Sequence, residues 1–583
     1  MLEVVGVEVD ALLLADWEAR VRRARSRLGW PMLAGVASRP HGDGTSLAHA
    51  APFDQLFTAT EVNEWALCSA LHARDPGRWT GLPEALAAAA EAESHAPPDV
   101  GPPMLEESPA LDRLERVAAA ERRPALRELV AAAEARGLPW LLDDAELSLG
   151  AGNGSHRYAL DSLPGAAAVP WPNLRDIPTA LVTGSNGKTT TVRLIAACLR
   201  AEGLRVGHCC TDGLFLDDEW LERGDYSGPV GARTVLRDRR VEAAVLETAR
   251  GGILRRGLAM ARADVAVVTN VSADHFGEYG IHDLDSLADV KLTVGAVVPP
   301  GGLLVLNADD ATLRAKAAGL ATRFGRDPSL GWFARDADDV FLQSHRGAGG
   351  ATCGVRDGHL VIAREGAEHD LGAIAGMPIT VGGCAGYNVA NLGAAALAAA
   401  ALGVAPEAVA RVFASFGTSV QDNPGRLMRF ETGGVHVIVD YAHNPEGMRG
   451  LLEVAETLRE GHGRLGLLLG HAGNREDTDI ERLAMTAAQF APSLVVVKEL
   501  ESFLRGRQPG EVPRILRNAL LRAGLPAEAL PQRSTEEDAA RCALEWARPG
   551  DVLVLPVHGL AAREVVLAMM GRPAARPPGQ EES

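Results

Sequence analysis

The residues with the plainest capacity for chemistry lie in TALVTGSNGKTTTVRLIAACLRAEG (179–203), where an apolar run meets Gly184, Ser185, Asn186, Gly187, Lys188, Thr189 and Thr190 and then a run with helical spacing. A strand, a glycine loop and a helix in that order suit a phosphate. Glycines let backbone N–H groups approach the anion, the Lys188 ammonium offsets β/γ charge, the Thr189 hydroxyl can ligate Mg²⁺, and the helix N-terminus favours negative charge. The spacing is the short G-x-x-G-K-T-T, because the first glycine of G-x-x-x-x-G-K-[ST] would fall at Val182. Later strand ends add further donors: Glu247 closes EAAVLET (242–248), and Asn270, Asp274 and His275 lie in TNVSADHFGEYG (269–280). Mg²⁺ needs only one or two such carboxylates beside substrate phosphates and retained waters. His275 alone would be an ordinary loop histidine; beside a phosphate loop it becomes a candidate ligand. Lys291, on the predicted helix LDSLADVKLTVGAVV (284–298), reads by itself as a solvated surface lysine.

Short apolar strands alternating with helical runs must position these residues. From Thr179 the runs TALVTG, EAAVLET, ADVAVVTNV and GGLLVLNADD predict a parallel sheet with helices on both faces, and ligands then bind beyond the strands' carboxyl ends. A second change comes near NPGRLMRF (423–430), after which GVHVIVDYAHNP, RLGLLLGHAGN, SLVVVKEL and DVLVLPVHG predict another α/β unit. The first ~175 residues are helix-leaning and alanine-rich. ERRPALRELVAAAEARG (121–137) predicts a helix with a glycine stop, while HAPPDVGPPM (95–104) and GAGNGSHRY (150–158) predict loops. The expected division is 1–175, 176–423 and 424–583, and the amino-terminal part shows no catalytic spacing. Its composition fits recognition of an acid or polymer, or packing against another subunit.

The 583 residues carry 58 Lys+Arg against 76 Asp+Glu, a net charge of −18, which argues against a broad nucleic-acid footprint and leaves room for a local basic pocket. No apolar run is long enough to span a bilayer, and MLEVVGVEVDALLLADWEAR has neither a basic n-region nor a small-residue cleavage site, so a cytoplasmic location without membrane partners is expected. Seven cysteines without a C-x-x-C pair read as reduced thiols.

Taken in order, GSNGKTTT, ETARGGILRRG, TNVSADH followed by Lys291, YNVAN, GRL and DYAHNPEG resemble the ATP-dependent Mur ligases, which share this order with the folylpolyglutamate synthetases. ETARGGILRR and RGRQPGE (505–511) are similar to the Mur-ligase-like part of the cyanophycin synthetases. The resemblance covers roughly 176–570 and leaves no room for the ATP-grasp domain of those synthetases. It implies an α/β fold: a Mur-ligase-like P-loop central domain with a parallel sheet, a C-terminal Rossmann-like α/β domain, and a separate mixed N-terminal domain.

The implied chemistry is attack of a carboxylate on the γ-phosphoryl of ATP, release of ADP, and displacement of phosphate from the acyl phosphate by an amine. By the resemblance Lys188 holds the β/γ-phosphates, Thr189 and Glu247 take one Mg²⁺, and His275 with a carbamate on Lys291 takes a second. Asn270 belongs to the nucleotide site, Asn391 faces adenine, and Arg426 and Asp440 hold nucleotide, with His443 and Asn444 nearby. The family's G-R-x-E stands here as Gly425-Arg426-Leu427-Met428, without its acid. An acid substrate is expected beside Arg250, Arg255 and Arg256, since a guanidinium can grip a carboxylate bidentately. The amino acid is expected at His471, Asn474, Arg475 and Asp477, with Glu499, Glu501, Arg505 and Arg507 as a second cluster. Both signs of charge occur there, so its type stays open.

The resulting expectation is an ADP-forming acid–amino acid ligase whose partners are a small-molecule or peptide acid and an amino acid. The nearest resemblance implies joining an aspartyl side chain to arginine. A peptide or polyglutamate-type ligase of another pathway and a non-catalytic nucleotide-binding partner protein are the other readings, and a homo-oligomer is compatible with each. Because the glycine loop and DYAHNP belong to different units that must meet over one ATP, domain closure is expected.

Overall fold

The computed structural model describes residues 1–570 apart from 33–34, 42–43, 83, 86–87, 89–99, 274–275 and 460. Among these the largest sheet has eleven strands. Thr179–Thr183, Ala243–Glu247 and Val265–Val268 are buried along their whole length, which is why each reads as a continuous apolar run and not as an alternation. Thr179–Thr183 lies between the other two, parallel to both, and the next strand in the chain, Val206–Cys210, sits beyond Ala243–Glu247. Strand order therefore reverses beside the glycine loop, the place where an open α/β sheet offers a crevice. Parallel pairing continues through Leu303–Asn307, Leu330–Asp336 and Ala351–Arg356. Antiparallel strands extend both ends, Gly213–Leu216 with Glu219–Arg223 on one side and His359–Arg364 with Ala367–Ala373 on the other. These edges depart from the purely parallel expectation.

Helices Lys188–Ala201 and Gly386–Ala401 pack together on one face of this sheet. Ala394, Ala395, Ala396, Ala398 and Ala399 are buried, and their small side chains let the second helix settle against Leu194, Leu199 and Phe333. Past residue 424 a second sheet runs in the order Met428–Thr432, Val435–Asp440, Val552–Pro556, Leu465–Leu469, Leu494–Lys498, Gln532–Arg533, parallel except for the first pair.

The amino-terminal part combines helix and sheet. Leu2–Val5, Gly44–His49 and Val36–His41 form one sheet under helices Ala11–Arg27, Leu56–Arg74 and Glu107–Glu121, around Trp17, Leu47 and Trp65. Trp140–Leu142, Glu146–Leu149 and His156–Ala159 form another. The helix expected within 121–137 runs Pro124–Glu134, with proline in its first turn. GAGNGSHRY begins as the expected loop but its end is strand. HAPPDVGPPM lies partly outside the described residues. No helix among the described residues is long and apolar enough to cross a membrane.

One carboxylate ties the two α/β units. Asp212, just past Val206–Cys210, is 1% exposed and meets Arg193 of the glycine-loop helix at 2.8 Å, Arg563 of Leu560–Met570 at 3.1 Å and Arg426 of the linker at 3.9 Å. Burial pushes its carboxyl up, but the guanidiniums of Arg426, Arg193 and Arg563 outweigh that and hold it well below the usual carboxylate range. Removing Asp212 leaves Arg193, Arg563 and Arg426 facing one another without the carboxylate they share. Asp212→Ala is expected to lower unfolding free energy by about 3–5 kcal/mol in a denaturant titration; a loss under ~1 kcal/mol would contradict this account.

Candidate active site

The glycine loop is shaped by space. At Gly184 (φ 150°) a Cβ would fall 1.8 Å from Thr269 Oγ1, and at Gly187 (φ 82°) 2.1 Å from Asn391 Oδ1. The Ser185 N–H donates to Asn270 O and the Asn186 N–H to Asn270 Oδ1, each at 2.9 Å, while Asn270 Nδ2 donates to Asn186 O at 3.2 Å. The loop is thus held from its flank. The helix that follows begins at Lys188, and its first-turn N–H groups have no partner within the helix, which is the arrangement that receives an anion. Lys188 Nζ folds back to Gly184 O at 3.1 Å and Ser185 O at 2.9 Å.

Glu247, 1% exposed at the end of its strand, accepts from Thr189 Oγ1 at 2.8 Å and Thr211 Oγ1 at 2.9 Å. One buried carboxylate and two hydroxyls beside open space are a hard-oxygen set that fits Mg²⁺, and Thr189 and Glu247 would hold it. Thr211 was not anticipated, although it follows a strand's carboxyl end and that position was signal enough. Lys291 is 3% exposed on its helix, so the surface-lysine reading fails. Its apolar neighbours Leu287 and Val290 face the same core, and it borders the larger of two cavities. Asp274 and His275 lie outside the described residues.

Those two cavities meet at the glycine loop. The smaller, about 590 Å³, is bordered by Ser185 to Thr190, Asn270, Asn391, Arg426 and Asp440; the larger, about 1170 Å³, by Gly184, Arg250, Glu278, His471 and Arg475. Lys188, Thr211, Glu247, Tyr441 and His443 border both. Asn391 is buried against Gly187 and donates to Asn388 Oδ1 at 3.0 Å. Arg426 stacks 4.3 Å over the Tyr441 ring. Asp440 accepts from the Leu427 N–H at 2.6 Å and the Ala442 N–H at 2.7 Å, and burial pushes its carboxyl above the usual range. At the position of the missing acid, Met428 Sδ accepts the Gly425 N–H at 2.9 Å. Asn444 caps helix Pro445–Leu458 and donates to Asn186 Oδ1 at 2.9 Å, so the second unit touches the glycine loop directly.

In the larger cavity Arg250 and Asn474 bond Glu278, and Arg475 reaches the same carboxylate at 2.8 Å. Arg255 and Arg256 border this cavity too, and His471 Nδ1 lies 3.2 Å from Ala472 O. Asp477 is not brought to the cavity: it opens helix Asp477–Ala488 and pairs with Arg507 at 2.7 Å. Arg507 braces the 473–475 turn through Gly473 O (2.8 Å) and Arg475 O (2.6 Å). Glu499 is buried and accepts the Gly510 N–H at 2.5 Å, Glu501 is exposed, and Arg505 borders the cavity. Glu278 and Asp212 escaped the sequence reading because their partners lie far away along the chain.

Beneath the 440–444 turn Lys498, 0% exposed, bonds Glu536 and the Pro556 carbonyl, and His558 Nε2 sits 3.3 Å from Ala442 O. Burial pushes His558 down to about 4, with the Lys498 charge adding to it.

A strand–glycine loop–helix unit at a strand-order reversal, with a second α/β unit reaching over it, defines a two-unit P-loop α/β protein. Residues 182–399 match the Mur ligase middle domain and residues 425–556 the Mur ligase, glutamate ligase domain. The cyanophycin synthetase of Synechocystis sp. is 36% identical over 393 residues, covering 67% of this chain and 44% of that protein. The UDP-N-acetylmuramoyl-L-alanyl-D-glutamate–2,6-diaminopimelate ligase of Alkalilimnicola ehrlichii is 31% identical over 65% of this chain and 70% of its own length. Mycobacterium tuberculosis folylpolyglutamate synthase complexed with ADP aligns at a TM-score of 0.48 and 17% identity, over 68% of this chain and 91% of that one. The chain belongs to the Mur ligase family. It spans less than half the length of the cyanophycin synthetases it matches.

Gly187→Ala is expected to cost about 1–3 kcal/mol through its left-handed backbone and the clash with Asn391, and to weaken ADP binding in calorimetry more than tenfold, as displacing a loop this close to the anion should. The His558 network sets a pH dependence. His558, faced by Lys498, Glu536, Tyr441 and His443, stays neutral in the folded chain down to about 4, whereas its ordinary value is 6.5. The unfolded chain takes that proton first on acidification. Its contribution is therefore complete above the ordinary value and is lost as pH falls toward the folded one, at a limiting slope of about 1.4 kcal/mol per pH unit. His558→Gln should flatten that slope in denaturant titrations run across the same window; an unchanged slope would refute the assignment.

Proposed function

We propose that the chain is an ATP-dependent ligase that activates a carboxylate as an acyl phosphate and couples it to an amino acid's amine, releasing ADP and phosphate. The observation that carries this reading is the sharing of Lys188, Thr211 and Glu247 by two cavities. A triphosphate entering the smaller one along Ser185 to Thr190 would present its last phosphorus toward the larger one. An acid held there attacks that phosphorus, the bond to the β-phosphate oxygen breaks, and the acyl phosphate remains facing the larger cavity. The amine then adds to the acyl carbon, phosphate leaves, and the amine gives up its proton. Chemistry of this kind rests on positioning and charge offset more than on covalent help. Lys188 offsets phosphate charge, and the Asn444–Asn186 contact supports exclusion of water from the anhydride.

Bound Mg²⁺ would neutralise charge on the phosphates. A second ion held by His275 and a carbamate on Lys291 belongs to the same reading. Asn270, Asn391, Arg426, Asp440 and His443 line the proposed nucleotide side. The units are proposed as 176–423 for nucleotide and acid, 424–583 for closure and the amino acid, and 1–175 as a support on the acid side. Around the larger cavity basic side chains outnumber acidic ones, although the whole chain is at −18. That local excess supports an acid bearing several carboxylates. An aspartyl side chain joined to arginine is the finer form of the proposal, resting on the cyanophycin synthetase likeness; a peptide or polyglutamate-type acid fits the same excess.

With ATP, Mg²⁺, pooled amino acids and aspartyl peptides, the chain is expected to release ADP in step with amide formation. Lys188→Ala should cut that release by about 10³-fold while the melting temperature holds. A variant that turns over like the parent, or a parent with no affinity for adenine nucleotides, would end this reading.

A further inference from the structure

Lys498 closes strand Leu494–Lys498 of the second sheet with a fully buried ammonium, and an ammonium has three protons to place. They go to Glu536 Oε1, to Pro556 O at the end of Val552–Pro556, and to His558 Nδ1 at 3.4 Å. His558 Nε2 lies 3.3 Å from Ala442 O, which can only accept, so the neutral ring carries its proton there and leaves Nδ1 bare for the lysine. Glu536 opens helix Glu536–Trp546, whose N-terminus favours a negative charge, and it accepts the His558 N–H at 2.9 Å and the Gly559 N–H at 2.7 Å. A Cβ at Gly470 would lie 2.8 Å from Lys498 Cγ and 3.1 Å from its Cε, so that turn rests on the lysine stem.

Three turns are thereby fastened to one ion pair, and each follows the carboxyl end of a parallel strand. They are 440–444 after Val435–Asp440, 470–472 after Leu465–Leu469, and 557–560 after Val552–Pro556. Asp440 borders the smaller cavity, Gly470, His471 and His558 the larger, and Tyr441 and His443 both. Neither Lys498 nor Glu536 borders a cavity. A packed apolar pair could fill their space with no loss of stability, so stability alone gives no reason for two charges there. A buried cation with three acceptors does what an apolar pair cannot: shifting any one acceptor uncovers charge that the interior does not solvate, so the turns hold position together.

We propose that Lys498 and Glu536 are positioning residues which, through His558 and Gly470, set the second unit's nucleotide turn and amino acid turn as a single body. What those turns bind rests on the ligase reading; the fastening does not.

The test compares the full-length parent with three variants by backbone amide exchange without nucleotide, MgADP calorimetry and denaturant titration. Lys498→Met/Glu536→Gln removes both charges at similar volume, leaves the end of the stem unheld and keeps one carbonyl acceptor for two N–H groups. It should exchange about tenfold faster at 441–444 and 557–560, faster by a smaller factor at 470–472, and at the parent rate along Val435–Val439. Its MgADP affinity should fall about tenfold. His558→Leu removes only the arm to Ala442, so 441–444 should speed up while 559–560 keep the parent rate; this variant decides the matter if the double variant does not fold. Leu467→Ala, a cavity in the same sheet, should lose unfolding free energy yet keep the parent's MgADP affinity. Unchanged exchange at 441–444 in His558→Leu or in the double variant, or an equal loss of MgADP affinity in Leu467→Ala, overturns the proposal. A parent that binds no MgADP ends the ligase reading instead, and the exchange comparison still decides the fastening.

Discussion

The structure depends on keeping a glycine loop open to an anion while gripping it firmly from its flanks. Backbone N–H groups can cradle phosphate only if the protein does not consume them and the loop does not collapse. Asn270 grips one side by taking the N–H groups of Ser185 and Asn186, so that the N–H groups left for an anion are those of the helix's first turn, and Asn391 packs against Gly187 on another. Asn444 arrives from the second unit and takes the Asn186 side chain. Amides suit all three positions, because each donates and accepts without adding a negative charge where a triphosphate would come.

How much of this could be read in the sequence follows from distance along the chain. Strand, loop and helix at 179–203, and Glu247 at its strand end, are written in consecutive residues, and the structure has them as expected. The Mur ligase order of motifs was equally legible, since it needs only succession. Lys291 was not: helical spacing places it on a face, but only the packed sheet makes that face an inner one. Asp477 looked like a substrate contact because it follows Asn474 and Arg475, yet a helix starts there and turns it toward Arg507. The antiparallel edges at 213–223 and 359–373 carry short strands whose pairing is set by neighbours, where propensity alone has little authority.

Charge shows the same separation of local from global. The chain as a whole is acidic, and composition leaves room for a local basic pocket without saying where it lies. The fold instead gathers arginines from helices 250–256 and 560–570 and from the 473–475 turn around the larger cavity, and Arg335, Arg426 and Arg449 around the smaller. Low-dielectric walls focus such a field, so a few well-placed guanidiniums decide the sign of the site against the sign of the surface. Asp212 in one cluster and Glu278 in the other each place an anion among the gathered cations.

A small number of polar contacts join the two units beside the cavities. Asp212 with Arg563, Asn186 with Asn444, and Glu278 with Arg475 each join residues from opposite units, and each involves residues bordering a cavity. Val381 and Ala385 also pack in the second unit's apolar core, and that contact holds whatever the cavities contain. The polar contacts differ, because each is directional, and a carboxylate or phosphate that enters competes for or adds to the same donors. The polar part of the junction and the lining of the cavities thus draw on one set of side chains, which is the physical basis of the expected closure.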